Sequence, residues 1–299
     1  MNIIRPFFSS HRASTQIPDA PYILTSPEKA PVPVLFNSPH SGTYYPASFC
    51  RQLKTPLTVL RHSEDSFVDK LFIDAPQTGA YLLCNTYSRN YVDTNRAIAE
   101  LDWDMIQSPT PPFPPLDSTK VSQGYGVIPR LAYNGQDIYL HKLQRHDVEE
   151  RLEDIYKPVH KQLHSLLTMF QEKWQMAILI DCHSMPSHNF LKHSSPVAQP
   201  DIILGNRHGQ SCAQWLTEMA VNLFNEAGYS VKLNAPYPGG YNTARYGCPL
   251  QQTHSLQIEI NRALYMDEGD LTPITSFTEV QQTMTKFSAY LTDHIRQQL

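Results

Sequence analysis

AILIDCHS, residues 177–184, decides how the rest of this chain is read. Four apolar residues of strand length run into an aspartate, a cysteine and a histidine. Side chains alternate along a strand, so Asp181 and His183 project to one side and Cys182 to the other. Cys182 and His183 therefore make a poor nucleophile–base pair, whereas Asp181 is placed to orient an imidazole. Two more segments have the same form. VLFNSPHSG, residues 34–42, carries His40 into a tight turn just after an apolar run, and LQIEINR, residues 256–262, sets Glu259 inside one. Charges seldom sit in such strands unless they are paired or used. Two imidazoles and a carboxylate delivered to one sheet edge have the form of a metal-dependent hydrolase site.

Working outward, strand-length apolar or β-branched runs fall at 32–36, 80–84, 176–180, 202–204, 231–233 and 256–260. Helical patterns lie between several of them. The strongest spans 137–173, where Leu143, Leu152, Ile155, Val159, Leu163, Leu166 and Phe170 recur at three- and four-residue spacing. Pro158 is placed to kink or divide it. Residues 210–225 and 278–298 read as amphipathic helices, and 67–74 as a short one. The alternation predicts an α/β fold: a mixed, mostly parallel sheet flanked by helices. Residues 1–30 read as a tail, and 31–299 as one catalytic domain. SPTPPFPPLD, residues 108–117, resists regular structure and reads as a surface loop near the mouth of a site.

Composition narrows the function classes. With 299 residues, 41% of them hydrophobic and 17% charged, the chain can bury a substantial core. A net charge of −4 without a basic stripe argues against a nucleic-acid partner. No apolar run approaches the ~20 residues of a membrane span. The five cysteines form no CxxC pair, so neither a disulfide scaffold nor a thiolate zinc site is indicated. The N-terminus has no apolar leader core, and a cytoplasmic location is expected.

Further candidates cluster around the three strands. RHSEDSFVDKLF, residues 61–72, offers Glu64 or Asp65 as the carboxylate of a two-histidine, one-carboxylate metal site; the plainer reading of both is an acidic helix start. Glu259 shares a strand face with Gln257 and Asn261. It is a natural general base beside a metal, or else half of a salt bridge with Arg262 or Arg245. YSRNYVDTNR, residues 87–96, contributes Arg89, Asn95 and Arg96, and PYPGGYNTARYG, residues 236–247, contributes Arg245 after a glycine pair that permits close backbone approach. Arginine forks suit carboxylates, so this set implies an anionic substrate. HKQLH, residues 160–164, mimics a HExxH zinc helix but has lysine in place of the glutamate, and both histidines are expected to face solvent.

Together these segments resemble the N-formylglutamate amidohydrolase family. The matching pieces, in family order, are PHSG (39–42), the SED segment, YSRNYVDTNR, DCHS (181–184), LGNRHGQSC (204–212), GGYNTARYG and QIE (257–259). The resemblance implies a fold similar to zinc carboxypeptidases and a divalent metal, zinc, held by His40, Asp65 and His183, with Glu64 the rival carboxylate. It implies that Glu259 activates the metal-bound water, that Asn95 and Arg96 hold a substrate carboxylate, and that Arg89 and Arg245 grip a second carboxylate or polarise the carbonyl. The implied reaction is deformylation of N-formyl-L-glutamate in histidine degradation. Two departures bear on the substrate: SED stands where histidine-pathway members have the DTD type, and Tyr241 follows the glycine pair where they have histidine. The alternatives are deacylation of another N-acyl amino acid, a carboxypeptidase-like hydrolysis, or a pocket that binds metal and ligand without catalysis.

Overall fold

The computed structural model describes residues 16–107, 116, 118–187 and 199–299. The six expected strands form, with boundaries shifted by a few residues: β2 (Val34–Ser38), β3 (Tyr81–Asn85), β4 (Ala177–Met185), β5 (Ile202–Gly205), β6 (Val231–Leu233) and β7 (Thr253–Asn261). A seventh, β1 (Tyr22–Thr25), lies inside the segment expected to be a tail. It pairs antiparallel with β3 at the sheet edge and leaves Ile23 exposed. A four-residue edge strand that is half buried gives too weak an alternation to be read from sequence. Residues 1–15 of that tail lie outside the described residues, as does the proline-rich 108–117 loop apart from Leu116.

The sheet order is β1-β3-β2-β4-β7-β5-β6. β2 pairs parallel with β3 and β4, β4 with β7, and β5 with β6; β5 pairs antiparallel with β7. The fold is thus a mixed, mostly parallel sheet with helices on both faces. Alternation sorts the side chains between them. Leu35 and Leu179 face the Lys157–Trp174 helix, meeting Leu163, Leu166 and Phe170. Phe36, Ile180 and Cys182 face the Gln214–Glu226 and Phe277–Arg296 helices, meeting Leu216, Phe224 and Phe287. No described helix is long and apolar enough to cross a membrane.

The predicted 137–173 helix is shorter and divided. It begins at Arg145, because Gln144 is extended and Leu143 bridges to Ile106 in a separate core. A π turn, Leu152–Tyr156, separates Arg145–Arg151 from Lys157–Trp174. Pro158 has no N–H for the preceding turn and its ring crowds that turn's carbonyl, so an extra residue is accommodated there.

Phe36 is fully buried at the centre of the larger core, with ring centroids 5.5 Å from Phe72 and 6.3 Å from Phe287. Phe36→Ala is expected to cost about 3–5 kcal/mol, read as a shift in the urea midpoint at unchanged slope. A loss under about 1 kcal/mol would contradict this packing.

Candidate active site

Three neighbouring parallel strands end at one edge, and their carboxyl ends carry the chemistry. His40 follows β2 by two residues. His183 lies in β4 directly opposite Glu259 in β7. Asp65 arrives from the loop after the Arg61–Ser63 turn, tied down by its own N–H donating to the His40 carbonyl at 3.0 Å. Ser41 Oγ donates to the Asp65 carbonyl at 2.9 Å and closes the same loop.

Single ligand atoms of His40, Asp65 and His183 lie within 4.8 Å of one another, and all three residues are buried. Asp65 Oδ2 is 3.0 Å from His183 Nδ1 and 3.3 Å from His40 Nδ1. The far ring nitrogens are anchored by carboxylates. His40 Nε2 donates to Asp93 Oδ1 at 2.8 Å, and His183 Nε2 donates to Asp181 Oδ2 at 2.9 Å. With Nε2 donating in both rings, both Nδ1 atoms face the centre of the cluster, where His183 Nδ1 donates to Asp65 Oδ2; a bound cation would take the place of that proton. His40 Nδ1, although buried, makes no hydrogen bond. A buried imidazole nitrogen without a partner, gathered with a carboxylate oxygen and a second imidazole nitrogen, fits a divalent cation.

The surrounding charges explain how buried ions persist here. Burial alone would raise Asp65, but the hydrogen bond to His183 and the proximity of the His40 ring hold it well below the usual carboxylate range. Arg262 Nη2 donates to the other oxygen, Asp65 Oδ1, at 3.1 Å. Burial opposes a charge on His183, yet Asp181, and then Asp65, hold its pKa well above the ordinary value. Glu259 is pushed up to about 8, chiefly by burial. Gly240 N–H donates to Gln257 Oε1 at 2.7 Å, and Gln257 Nε2 donates to Glu259 Oε1 at 2.8 Å, so the glycine turn orients this carboxylate. A Cβ on Gly240 would sit 2.5 Å from Asn95 Nδ2, which requires glycine there. No ion pair to Glu259 occurs within 4.0 Å among the described residues, so neither Arg262 nor Arg245 neutralises it.

The cluster opens into a cavity of about 410 Å³ whose lining includes His40, Asp65, His183, Glu259, Arg89, Asn95 and Arg96. The family comparison agrees with this constellation: the N-formylglutamate amidohydrolase profile matches residues 32–266. The chain belongs to that family. It is 30% identical over 241 residues to the N-formylglutamate deformylase of Pseudomonas aeruginosa, covering 79% of this chain and 83% of that one. The Pseudomonas putida enzyme of the same name is 29% identical over 244 residues, covering 80% and 84%. The crystal structure of N-formylglutamate amidohydrolase from Ralstonia eutropha JMP134 superposes with a TM-score of 0.89 at 33% identity, over 94% of this chain and all of that one. Gene product Atu2144 from Agrobacterium tumefaciens, 16% identical with a TM-score of 0.61 over 91% of this chain and 95% of that one, shares the fold. The protein is an amidohydrolase.

Within this amidohydrolase the sequence-derived candidates do not all converge. Asp65 joins the histidines and Glu64 does not. Glu64 is extended, so consecutive side chains diverge; its Oε1 accepts from the Tyr45 hydroxyl and its Oε2 lies 3.5 Å from Arg61 Nε. Arg245 is not among the cavity-lining residues. The Tyr241–Tyr246 helix turns Asn242 and Thr243 inward, and the Arg245 guanidinium lies over the Tyr241 and Tyr246 rings, 5.8 and 5.6 Å from their centroids. Asn95 is partly committed: its Oδ1 accepts the Asn242 N–H at 2.8 Å, and its Nδ2 lies 3.1 Å from His183 Nε2. Arg262, named from sequence only as a salt-bridge partner for Glu259, lines the cavity, as do Asp93 and Lys120, which were not singled out. Arg262 follows directly on the apolar β7 run and Asp93 lies inside YSRNYVDTNR, so both carried a signal; Lys120, in a polar stretch, carried none.

One expectation fails outright. His164 is exposed as expected, but His160 is buried. Its Nε2 donates to the Thr94 carbonyl at 3.0 Å and its Nδ1 accepts from the Tyr246 hydroxyl at 2.7 Å. Residues four apart are rotated by about 40°, enough at the edge of a packed face to bury one and expose the other. Burial, and then the Arg245 charge, lower the His160 pKa to about 4. Because the unfolded chain takes up this proton first, stability from His160 is fully present above about pH 6.5 and is lost as pH falls toward 4. Nitrogen-15 NMR is expected to find His160 as the neutral Nε2–H tautomer at pH 5.5; a titration midpoint near 6.5 would contradict its burial.

Proposed function

We propose that this amidohydrolase cleaves N-formyl-L-glutamate to formate and L-glutamate, using a divalent metal held by His40 Nδ1, Asp65 Oδ2 and His183 Nδ1, and Glu259 as general base. The convergence of those three buried ligand atoms in front of Glu259 and a cationic wall carries this reading. The names of the Pseudomonas relatives and of the Ralstonia structure support the substrate. Zinc suits two imidazoles and a carboxylate with a position left open. When bound, the cation supplies Lewis acidity, polarising the formyl carbonyl and making the attacking water more acidic.

The remaining steps belong to this chain's own residues. Glu259 Oε1 is held by Gln257, and Oε2 has no hydrogen bond among the described residues. Oε2 takes the proton of the water that adds to the formyl carbon. As the C–N bond breaks, Glu259 returns that proton to the departing nitrogen. A carboxyl group with an ordinary pKa would be a weaker base at neutral pH; burial makes Glu259 stronger, and a cation nearby brings it back toward ionisation. Arg89 and Arg96 line the cavity 22% and 13% exposed, placed to meet a substrate carboxylate. Asn95 supports the wall between them and His183. Arg245 has no part in the substrate site in this reading, because it lies outside the cavity.

Purified protein is expected to release free glutamate from N-formyl-L-glutamate, to stop after chelation, and to recover with added zinc. Glu259→Gln is expected to retain metal while kcat falls by about 10²–10⁴. Normal turnover in that variant would remove Glu259 from the mechanism, and chelator-insensitive release would remove the metal.

A further inference from the structure

A dicarboxylate needs two cationic contacts, and the displacement of Arg245 leaves one of them unassigned. Most of the positive charge on the cavity wall is already committed. Arg96 Nε donates to the Tyr125 carbonyl at 2.8 Å and its Nη1 to the Asn95 carbonyl at 2.7 Å. Arg89 Nη2 donates to Asp93 Oδ2 at 2.8 Å. Asp93 in turn is held by His40 through its other oxygen. One carboxylate is thus shared by an imidazole and two guanidinium groups, and it has little left for a further cation.

Lys120, on the short Thr119–Ser122 helix, lines the same cavity and adds a third positive group. Its ammonium has no hydrogen bond or ion pair among the described residues. Lys120 is exposed to solvent at the edge of the cavity that it lines with Arg89 and Arg96; partial desolvation, and then the charges of Arg96 and Arg89, lower its pKa against the opposing charges of Asp93 and Glu100. Three like charges gathered on one wall are self-repelling, and a second anion bound there relieves that repulsion. An ammonium with all three donors available is suited to a compact carboxylate at a half-open mouth.

We propose that Lys120 is a specificity-determining residue, recognising the second carboxylate of a dicarboxylic N-acyl amino acid while Arg89 and Arg96 hold the first. The assignment rests on the proposed hydrolysis of an N-acyl amino acid at this site. It makes the amidohydrolase selective for an acidic side chain over its neutral isostere, because removing the charge leaves Lys120 unanswered.

The test compares kcat/KM for N-formyl-L-glutamate and N-formyl-L-glutamine in the wild-type protein, Lys120→Met and Lys120→Arg. The wild type is expected to favour the glutamate. Lys120→Met is expected to lower the glutamate-to-glutamine ratio by about tenfold or more, and Lys120→Arg to keep most of it. A wild-type ratio near one, or a Lys120→Met ratio within about twofold of wild type, overturns the proposal. Should the wild type hydrolyse neither compound, the proposed reaction fails, and calorimetric binding of glutarate against its monoamide decides the role of Lys120 independently. Preferential glutarate binding lost in Lys120→Met upholds it. Absent preference, or equal binding by the variant, overturns it.

Discussion

The in-register parallel pairing of β2, β4 and β7 is the constraint on which the site depends. Parallel strands end together, so three carboxyl ends meet at one edge without any long side chain having to reach. The β4–β7 register sets His183 opposite Glu259, and a slip of one residue in either strand would turn that strand's member of the pair into the hydrophobic core. The apolar partners on each face, Leu179 on one and Ile180 with Phe36 on the other, hold that register. Core packing and site geometry are therefore one specification.

Placing ions in this interior is costly, and the surrounding network offsets the cost with nearly complete pairing. Asp65 faces two imidazoles on one oxygen and Arg262 on the other. Asp181 and Asp93 each take the outer nitrogen of one histidine. Arg262 is itself held by donating to Ser184 Oγ at 3.1 Å and to the His62 carbonyl at 2.8 Å. What the network leaves open is informative. His40 Nδ1 lacks a hydrogen-bond partner, and Glu259 has no ion-pair partner within 4.0 Å among the described residues. These two deficits face the same cavity, where chemistry on a bound amide would use them.

Much of this was legible in the sequence because strand residues have only two directions to point. Alternation alone sent His183 and Asp181 to one side of β4 and Cys182 into the core, and it paired Gln257 with Glu259 on β7. Periodicity could not choose between Glu64 and Asp65, since adjacent residues outside a regular element have no fixed period; the family resemblance gave Asp65, and Tyr45 and Arg61, distant or local, capture Glu64. Arg245 is a motif position that a one-turn helix sets over aromatic rings, outside the cavity lining, and no strand-like alternation announces that direction. His160 misled because a polar residue on an amphipathic helix is ordinarily exposed, and only tertiary partners, Thr94 and Tyr246, reveal its burial. The edge strand β1 was too short to register as a period.

The proposed chemistry requires His40, Asp65 and His183 to bind one metal through the nitrogens and oxygen of the cluster. Anomalous diffraction at the zinc edge, from crystals of the zinc-loaded protein, tests it most directly. A single strong peak is expected about 2.0–2.2 Å from His40 Nδ1, Asp65 Oδ2 and His183 Nδ1. A peak held by other side chains, or none at this cluster in protein that still hydrolyses its substrate, would contradict it.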